Sequence, residues 1–328
     1  MPPHVVFGAG GIGTTANSFT FTWDTPEKVN ELLASLDSLG ISELDSAAGY
    51  PPGNPWHTET LLGQSEAAAK GFIIDSKIMR VKEGGTLGFK NIAESTNKTL
   101  RLLGTNKIRT MYAHSPDPST PLLEQAESFH RQFQEGKYER LGLCNYTAEA
   151  MAAYFTICDE KGFQKPSVYQ GHYNALFRGP EKELIPLLRK NNCAFYAFSP
   201  LAGGFLTGKV TFASEQDLNR TRWRGQSTMS YYPDTFEKPV MHDAIRRLHA
   251  ACEATSPRLS LQEASLRWLM YHSALEEGDA FIIGAKRIDQ LEENVADIRR
   301  GPLPQSVLEA VEYMWRLVDD GSDGKQDA

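Results

Sequence analysis

The chain has 328 residues, of which 41% are hydrophobic and 23% are charged, and its formal net charge is -7 at pH 7. This composition can bury a large core and excludes a disordered chain, while the modest acidic charge argues against nucleic acid as a partner. Neither a run of eighteen apolar residues nor a secretory leader is present, so we expect a cytoplasmic protein that does not bind membranes.

The first predicted strand, residues 5–8, runs into the glycine-rich segment GAGGIG, which has the G-x-G-x-x-G spacing of a dinucleotide fingerprint. A Rossmann turn also needs a helix that opens at the third glycine and an acidic residue about twenty positions later. After Gly13, Thr and Phe alternate, the first helix begins only near Pro26, and Leu33 occupies the twentieth position. The motif therefore indicates a glycine-rich loop and not a Rossmann fold.

Short apolar segments then alternate with longer amphipathic helical patterns along the rest of the chain. Thr25 before Pro26 and the capping box at residues 260–263 mark helix starts. Eight strand–helix units in a chain of this length favour an α/β fold of the closed (β/α)8 TIM barrel type over an open doubly wound sheet. The predicted strands are residues 5–8, 43–46, 72–77, 108–114, 138–144, 167–170, 194–199 and 280–284.

The domain organisation follows from the absence of any linker rich in Pro, Gly or Ser. We expect residues 1–328 to form a single domain, with a long loop after the seventh strand, a C-terminal helix and a polar tail from about residue 319 to 328. The four cysteines, at 144, 158, 193 and 252, include no C-x-x-C pair. That spacing predicts reduced thiols and no metal site.

Ionisable side chains occur where three successive predicted strands end. Asp45 ends the second strand, with Tyr50 five residues later, Lys77 ends the third and His114 ends the fourth. The carboxyl ends of barrel strands share one mouth, where barrel enzymes carry out their chemistry. Each residue alone has an ordinary explanation, as a turn residue, a buried aromatic, a snorkelling lysine or a core histidine. Their combination favours an active site.

These four residues have the chemistry needed for half of a carbonyl reduction. A tyrosine with an ordinary pKa of about 10 is a poor acid at neutral pH, but a nearby Lys77 ammonium favours the phenolate of Tyr50. A carboxylate at Asp45 keeps that ammonium charged and oriented, and His114 donates a hydrogen bond to the substrate oxygen. The site is thus expected to deliver a proton to an alkoxide, while a hydride must come from elsewhere.

The segments LDSAAGY, DSKI, YAHSPD, GLCNY, YQGHYN, YAFSPLAGGFLTGK and IIGAKRIDQLEENV resemble, in order, the aldo-keto reductase family and its aflatoxin-aldehyde reductase branch. The resemblance covers nearly the whole chain. It implies NADPH-dependent reduction of a small carbonyl compound, with Tyr50 as proton donor, Asp45 and Lys77 as its tuning pair, and His114 orienting the carbonyl.

The resemblance also implies that NADP(H) binds in an extended conformation. Asn145 and Gln170 would hold the nicotinamide amide and Phe198 would lie against its ring, while Cys144 stands where many members have serine. The other cofactor positions implied are Gly10, Gly11, Asp45, Ser199, Pro200, Leu201, Gly203, Lys209, Arg222, Gly284, Lys286, Arg287, Gln290, Glu293 and Asn294.

The segment GAKRIDQLEEN predicts an anion site without help from the family. A helix amino terminus has free N–H groups that bind anions, and Lys286 and Arg287 add two cations there. A 2′-phosphate suits this arrangement, so NADPH is favoured over NADH. The alternatives are an ordinary solvated helix start and the use of NADH, which some family members show.

Two loops bear on the substrate. The segment PPGNPWHTE brings Trp56 close to Tyr50 in sequence, and RTRWRGQSTMSYYPDTF contains Arg222, Trp223 and Tyr231. Arg222 is suited to either the cofactor phosphate or an anionic substrate. A pocket formed by Tyr50, Trp56, His114, Trp223 and Tyr231 would favour a bulky or aromatic carbonyl compound.

Two other functions stay open at this point. A lysine at a barrel strand end is also suited to a Schiff-base lyase, although that leaves Lys286, Arg287 and the YAFSPLAGG loop without a role. A non-catalytic nicotinamide-binding regulatory subunit is the second alternative, and it would retain its cofactor tightly. The sequence is compatible with a homodimer.

Overall fold

The computed structural model describes residues 1–15, 22–218, 223 and 231–319. Within these residues eight parallel strands close into one barrel, each paired with the next and the last paired with the first. The strands are β1 His4–Gly8, β2 Glu43–Asp45, β3 Ile73–Lys77, β4 Ile108–Ala113, β5 Tyr138–Cys144, β6 Pro166–His172, β7 Ala194–Phe198 and β8 Ala280–Ile283. The predicted (β/α)8 barrel is confirmed, with strand bounds shifted by a few residues at most.

Helices follow each strand and pack outside the barrel. They are α1 Pro26–Ser38, α2 His57–Gln64, α3 Phe89–Leu103, α4 Leu122–Gln134, α5 Ala148–Lys161, α6 Leu184–Lys190, α7 Lys209–Phe212, α8 Glu215–Leu218, α9 Tyr231–Phe236, α10 Pro239–Glu253, α11 Leu261–Tyr271, α12 Ile288–Ile298 and α13 Gln305–Val318. The long connection after β7 thus contains three short helices, and α13 is the expected C-terminal helix. Residues 320–328 of the predicted polar tail lie outside the described residues.

The predicted helix starts are present. Thr25 Oγ1 accepts a hydrogen bond from the Lys28 backbone N–H, with Pro26 as the first helical residue. At α11, Ser260 Oγ accepts from the Glu263 N–H at 2.9 Å. Both caps satisfy backbone donors that the first helical turn leaves without partners.

The barrel interior is divided into an apolar middle and a charged amino-terminal end. Inward-facing side chains fill the middle, including Val6, Tyr112, Cys144, Val168, Tyr196 and Ile282. At the amino-terminal end, the Arg109 guanidinium lies between Asp75, at 2.6 Å, and Glu43, also at 2.6 Å. Since chemistry in such barrels belongs to the opposite face, we assign this charged cluster to stability.

Other sequence expectations concern cysteines, metals and membranes. All four cysteines are buried and unpaired. Among the described residues no group of His, Cys, Asp and Glu is arranged to hold a metal ion. The described helices include none that is both long and apolar enough to cross a lipid bilayer.

Candidate active site

Four side chains meet at the carboxyl end of the barrel. Asp45 and Lys77 end β2 and β3, His114 follows β4 directly, and Tyr50 lies on the loop after β2. That loop stays close to β3 because the Ala48 N–H donates to the Lys77 carbonyl oxygen at 3.1 Å. The Tyr50 and His114 rings meet edge to face, with centroids 5.6 Å apart. The structure therefore brings together all four residues that the sequence singled out.

Lys77 is the centre of this cluster. Its Nζ donates to both carboxylate oxygens of Asp45 at 2.7 Å and to the Ser46 carbonyl oxygen at 2.8 Å, and it lies 5.0 Å from the centroid of the Tyr50 ring. Burial by itself would lower the pKa of Lys77, but the charge of Asp45 outweighs burial and raises it above its ordinary value. The ammonium is therefore charged throughout the neutral pH range.

The electrostatics of Tyr50 differ in one respect from the expectation. Lys77 lowers the pKa of the phenol as expected, but burial and the Asp45 carboxylate raise it, and the net shift is upward from 10. Burial is the largest effect because a phenolate loses its hydration in the barrel mouth. Within the described residues, no side chain hydrogen-bonds the Tyr50 hydroxyl, which leaves that group to a substrate.

His114 is held as a neutral imidazole. Burial lowers its pKa to about 3, and the positive charges of Lys77 and Arg80 act in the same direction. A neutral imidazole carries one N–H and can donate a hydrogen bond without bringing a second positive charge into the site.

The positions expected at the nicotinamide amide lie beside this cluster. Gln170, on β6, donates from Nε2 to Asp45 Oδ1 at 2.7 Å. Asn145 follows β5 with a positive φ of 64°, and its Nδ2 donates to the His114 carbonyl oxygen at 3.2 Å. Cys144 is buried, and burial raises the pKa of its thiol, so it is a neutral neighbour of Lys77.

A stack of aromatic rings lies at the ends of β6 and β7. Phe198 is stacked on His172 at 5.4 Å between centroids, and His172 is stacked on Phe177 at 4.6 Å. Burial lowers the pKa of His172 to about 3, which keeps the middle ring neutral. Sequence reasoning singled out Phe198 and missed His172. Strand alternation could have indicated His172, because residues 170 and 172 of β6 lie on the same face of the strand.

The loop after β7 is sharply bent. Ser199, Ala202 and Gly203 have φ values of 55°, 49° and 65°. A Cβ on Gly203 would lie 2.5 Å from the Tyr232 ring, so only glycine fits there. Trp223 Nε1 donates to the Gly203 carbonyl oxygen at 3.1 Å. Tyr232 and Trp223 therefore hold this loop in its bent form.

The glycine-rich loop after β1 reaches the same mouth. Residues Ala9–Gly11 form one 3-10 turn. A Cβ on Gly10 would lie 3.5 Å from the Tyr50 ring, and one on Gly11 would lie 3.9 Å from the Ala285 carbonyl oxygen. The loop thus lies between the proton-donor candidate and the segment after β8, as expected for a loop that lines a cleft.

The predicted anion site lies at the start of α12. Lys286 and Arg287 are exposed, and Arg287 Nε donates to Asp289 Oδ1 at 2.8 Å. Gln290 Oε1 accepts from the Lys286 backbone N–H at 3.0 Å, so this side chain of the first turn folds back onto the segment before the helix. Asn294 is buried, and its Oδ1 has no hydrogen-bond partner. A buried amide oxygen without a donor is costly, and a ligand N–H would satisfy it.

The remaining predicted residues are dispersed. Pro200 is buried and Leu201 partly buried, whereas Lys209, Gly284 and Glu293 are exposed. Trp223 is 5% exposed and packs on Phe205. The Trp56 ring packs against Lys98, whose Nζ lies 4.2 Å from the ring centroid. Arg222 and the side chain of Tyr231 lie outside the part of the chain that the structure describes.

Comparisons with known proteins agree with this arrangement. Residues 4–316 match the model of the Aldo/keto reductase family. The chain is 36% identical to human aldo-keto reductase family 7 member A3, over 96% of this chain and 95% of that protein. It is 36% identical to aflatoxin B1 aldehyde reductase member 2 of Mus musculus, over 85% of this chain and 77% of that protein. It is 33% identical to an aldo-keto reductase of Pseudocercospora fijiensis, over 88% of this chain and 97% of that protein.

The chain belongs to the aldo-keto reductase family. It is therefore an oxidoreductase that acts on small carbonyl compounds.

Proposed function

We propose that this protein is an NADPH-dependent reductase that converts an aldehyde or ketone to an alcohol, with Tyr50 as the proton donor. The observation that carries this proposal is the buried Lys77 ammonium, bonded by both oxygens of Asp45 and 5.0 Å from the centroid of the Tyr50 ring. A lyase lysine must be neutral to attack a carbonyl, so the raised pKa of Lys77 argues against the Schiff-base alternative.

The proton moves from the Tyr50 hydroxyl to the substrate oxygen. The raised pKa of Tyr50 keeps the donor protonated at neutral pH, and an alkoxide is basic enough to take its proton. Lys77 stabilises the phenolate that is left, and Asp45 holds the ammonium in place. Neutral His114 donates the second hydrogen bond to the substrate oxygen. A nicotinamide, when bound, supplies the hydride for the carbonyl carbon.

The residues present fit a dinucleotide. Asn145 and Gln170 would take its amide, and Phe198, supported by His172, would lie against its ring. The bent loop of residues 199–203 would follow the pyrophosphate with backbone groups that small residues leave accessible. The buried Asn294 oxygen supports a base at the far end, because it needs an N–H donor.

The phosphate preference and the substrate class are also proposals. Lys286 and Arg287 favour a 2′-phosphate and hence NADPH. Relatives named aflatoxin B1 aldehyde reductases support an aldehyde substrate. From the sequence alone, the aromatic residues Trp56, Trp223 and Tyr231 predict a bulky or aromatic carbonyl compound, although the Trp56 ring packs against Lys98 and Trp223 packs on Phe205.

The test is NADPH oxidation by the purified protein across aliphatic, aromatic and dicarbonyl compounds, with Tyr50→Phe as the matched variant. We expect turnover by the wild type and a loss of roughly 100-fold or more in the variant, with NADPH binding by fluorescence retained. Turnover by Tyr50→Phe at the wild-type rate would refute the mechanism. Tight NADPH binding without turnover on any compound would instead support a regulatory subunit.

A further inference from the structure

One hydrogen bond crosses the whole mouth of the barrel. Gln170 Nε2 donates to Asp45 Oδ1 at 2.7 Å, and both residues are buried. Asp45 ends β2 and Gln170 belongs to β6, which is four strands away in a ring of eight. The side chain thus reaches the opposite wall. Asp45 Oδ1 accepts from Lys77 as well as from Gln170, so the two donors converge on one carboxylate oxygen.

We propose that Gln170 is a positioning residue for proton transfer, acting on Tyr50 through Asp45. The inference rests on the proposed function and goes beyond the contact with the cofactor amide. A donated hydrogen bond draws charge from the Asp45 carboxylate and fixes it against the Lys77 ammonium. Because the Asp45 charge opposes ionisation of Tyr50, weakening that charge makes Tyr50 the better acid.

The hydrogen bond to Asp45 also fixes the orientation of the Gln170 side-chain amide. With Nε2 committed to Asp45, the carbonyl oxygen is left as an acceptor for an N–H of a bound amide. The backbone is held by its neighbours, since the Gln170 carbonyl oxygen accepts from the Asn145 N–H at 3.2 Å. A Cβ on Gly171 would lie 2.5 Å from the Tyr169 ring, so only glycine fits at the next position of the strand. The Gln170 side chain thereby links the amide position to the proton-transfer pair.

Apart from Arg80, whose charge acts on His114, the described titratable groups around this pair are neutral or joined to a partner at neutral pH. Burial raises the pKa of Tyr112 on β4 and of Cys144 on β5, and it lowers that of His114. Asp75 on β3 is bonded by Arg109 at 2.6 Å. The Tyr232 hydroxyl shares a hydrogen bond with Ser199 Oγ at 2.7 Å. Among the residues that the structure describes, the two charges that act most strongly on the Tyr50 phenol are therefore those of Lys77 and Asp45.

The experiment compares Gln170→Met, which keeps length but has neither N–H nor carbonyl, with Asn145→Ala. Asn145 shares the expected amide contact but bonds the His114 carbonyl oxygen and not Asp45. The measurement is an NMR titration of the Tyr50 ring carbon in cofactor-free protein that contains labelled tyrosine. The Tyr50 signal is assigned because it is missing from the spectrum of Tyr50→Phe. The alkaline limb of kcat against pH is followed in parallel.

Gln170→Met should raise the Tyr50 midpoint by about one unit and lower kcat, whereas Asn145→Ala should weaken cofactor binding without moving that midpoint. In an Asp45→Asn background, Gln170→Met should cause no further shift. An unchanged midpoint in Gln170→Met, or an equal shift without the Asp45 charge, would overturn the proposal. If Gln170→Met does not fold, Gln170→Asn replaces it in the same measurements, because an asparagine side chain is too short to reach Asp45 across the mouth.

Different results would refute the proposed function and the proposed role of Gln170. Wild-type protein that reduces no carbonyl compound with NADPH would refute the proposed function. The Tyr50 titration in cofactor-free protein would still decide the role of Gln170, because it requires no turnover.

Discussion

Lys77 and Asp45 form a bidentate ion pair in which the lysine side chain is fully buried and the aspartate nearly so. Two charges in such a place are expensive to desolvate, and their attraction offsets that cost only while both partners remain. The position of this pair at the carboxyl face of the barrel fits the role in proton transfer that we propose for it.

Asp45→Asn should therefore be strongly destabilising, because it leaves a buried ammonium without its counter-charge. We expect a loss of about 3–5 kcal/mol in the free energy of unfolding, measured by urea denaturation. The double variant Asp45→Asn/Lys77→Met is the control and should recover part of that loss, since the uncompensated charge is gone. A double variant that loses as much as the two single variants added together would contradict this account.

Glu59 should make the protein less stable as the pH rises. Its side chain is fully buried on α2 and accepts hydrogen bonds from Ser76 Oγ at 2.5 Å and from Thr99 Oγ1 at 3.0 Å. Burial raises the pKa of Glu59 from 4.5 to about 7, although these two bonds lower it. Between these two values the native state binds more protons than the unfolded state, so stability falls with increasing pH.

Glu59→Gln should remove that slope and stabilise the protein by about 1–3 kcal/mol at pH 8, while changing little at pH 4. The measurement is a series of urea denaturation curves from pH 4 to pH 8. The idea fails if the variant and the wild type keep the same difference in stability at every pH.

Glu43 should change the stability with pH in the direction opposite to Glu59, and it is therefore the comparison for that residue. Burial alone would raise its pKa, but the His4 hydrogen bond and the Arg109 guanidinium lower it to about 2. Its contribution to stability is thus present above pH 4.5 and lost as the pH falls towards 2. Glu43→Gln should destabilise the protein at pH 7 and have progressively less effect below pH 4. An effect that grows on acidification would disprove this assignment.

Arg287 and Asp289 together should set the phosphate preference of the cofactor site. The two side chains are exposed and joined at 2.8 Å, so Asp289 competes with a phosphate for the guanidinium. We expect Arg287→Ala to raise the Kd of NADPH by up to roughly fivefold and Asp289→Asn to lower it, with little change for NADH. Fluorescence titration at low and high salt measures this, because screening should reduce both effects. Equal changes for NADPH and NADH would place the phosphate elsewhere.

The alternation of strand and helix patterns and the ordered motifs were sufficient to predict the barrel, the family and the cluster of Asp45, Tyr50, Lys77 and His114. This was possible because hydrophobic periodicity reports local structure. In addition, the ends of parallel barrel strands meet at one face, so their residues can be assigned to a common site.

The tertiary structure decided the contacts between distant segments and the balance of charges. The bond from Gln170 to Asp45 joins residues 125 positions apart, and the stack of Phe198 on His172 joins two strand ends. Neither follows from local pattern, because each depends on which side chains reach across a closed ring. Burial is likewise a property of the folded chain, and for that reason the net upward shift in the pKa of Tyr50 could not be read from its sequence neighbours.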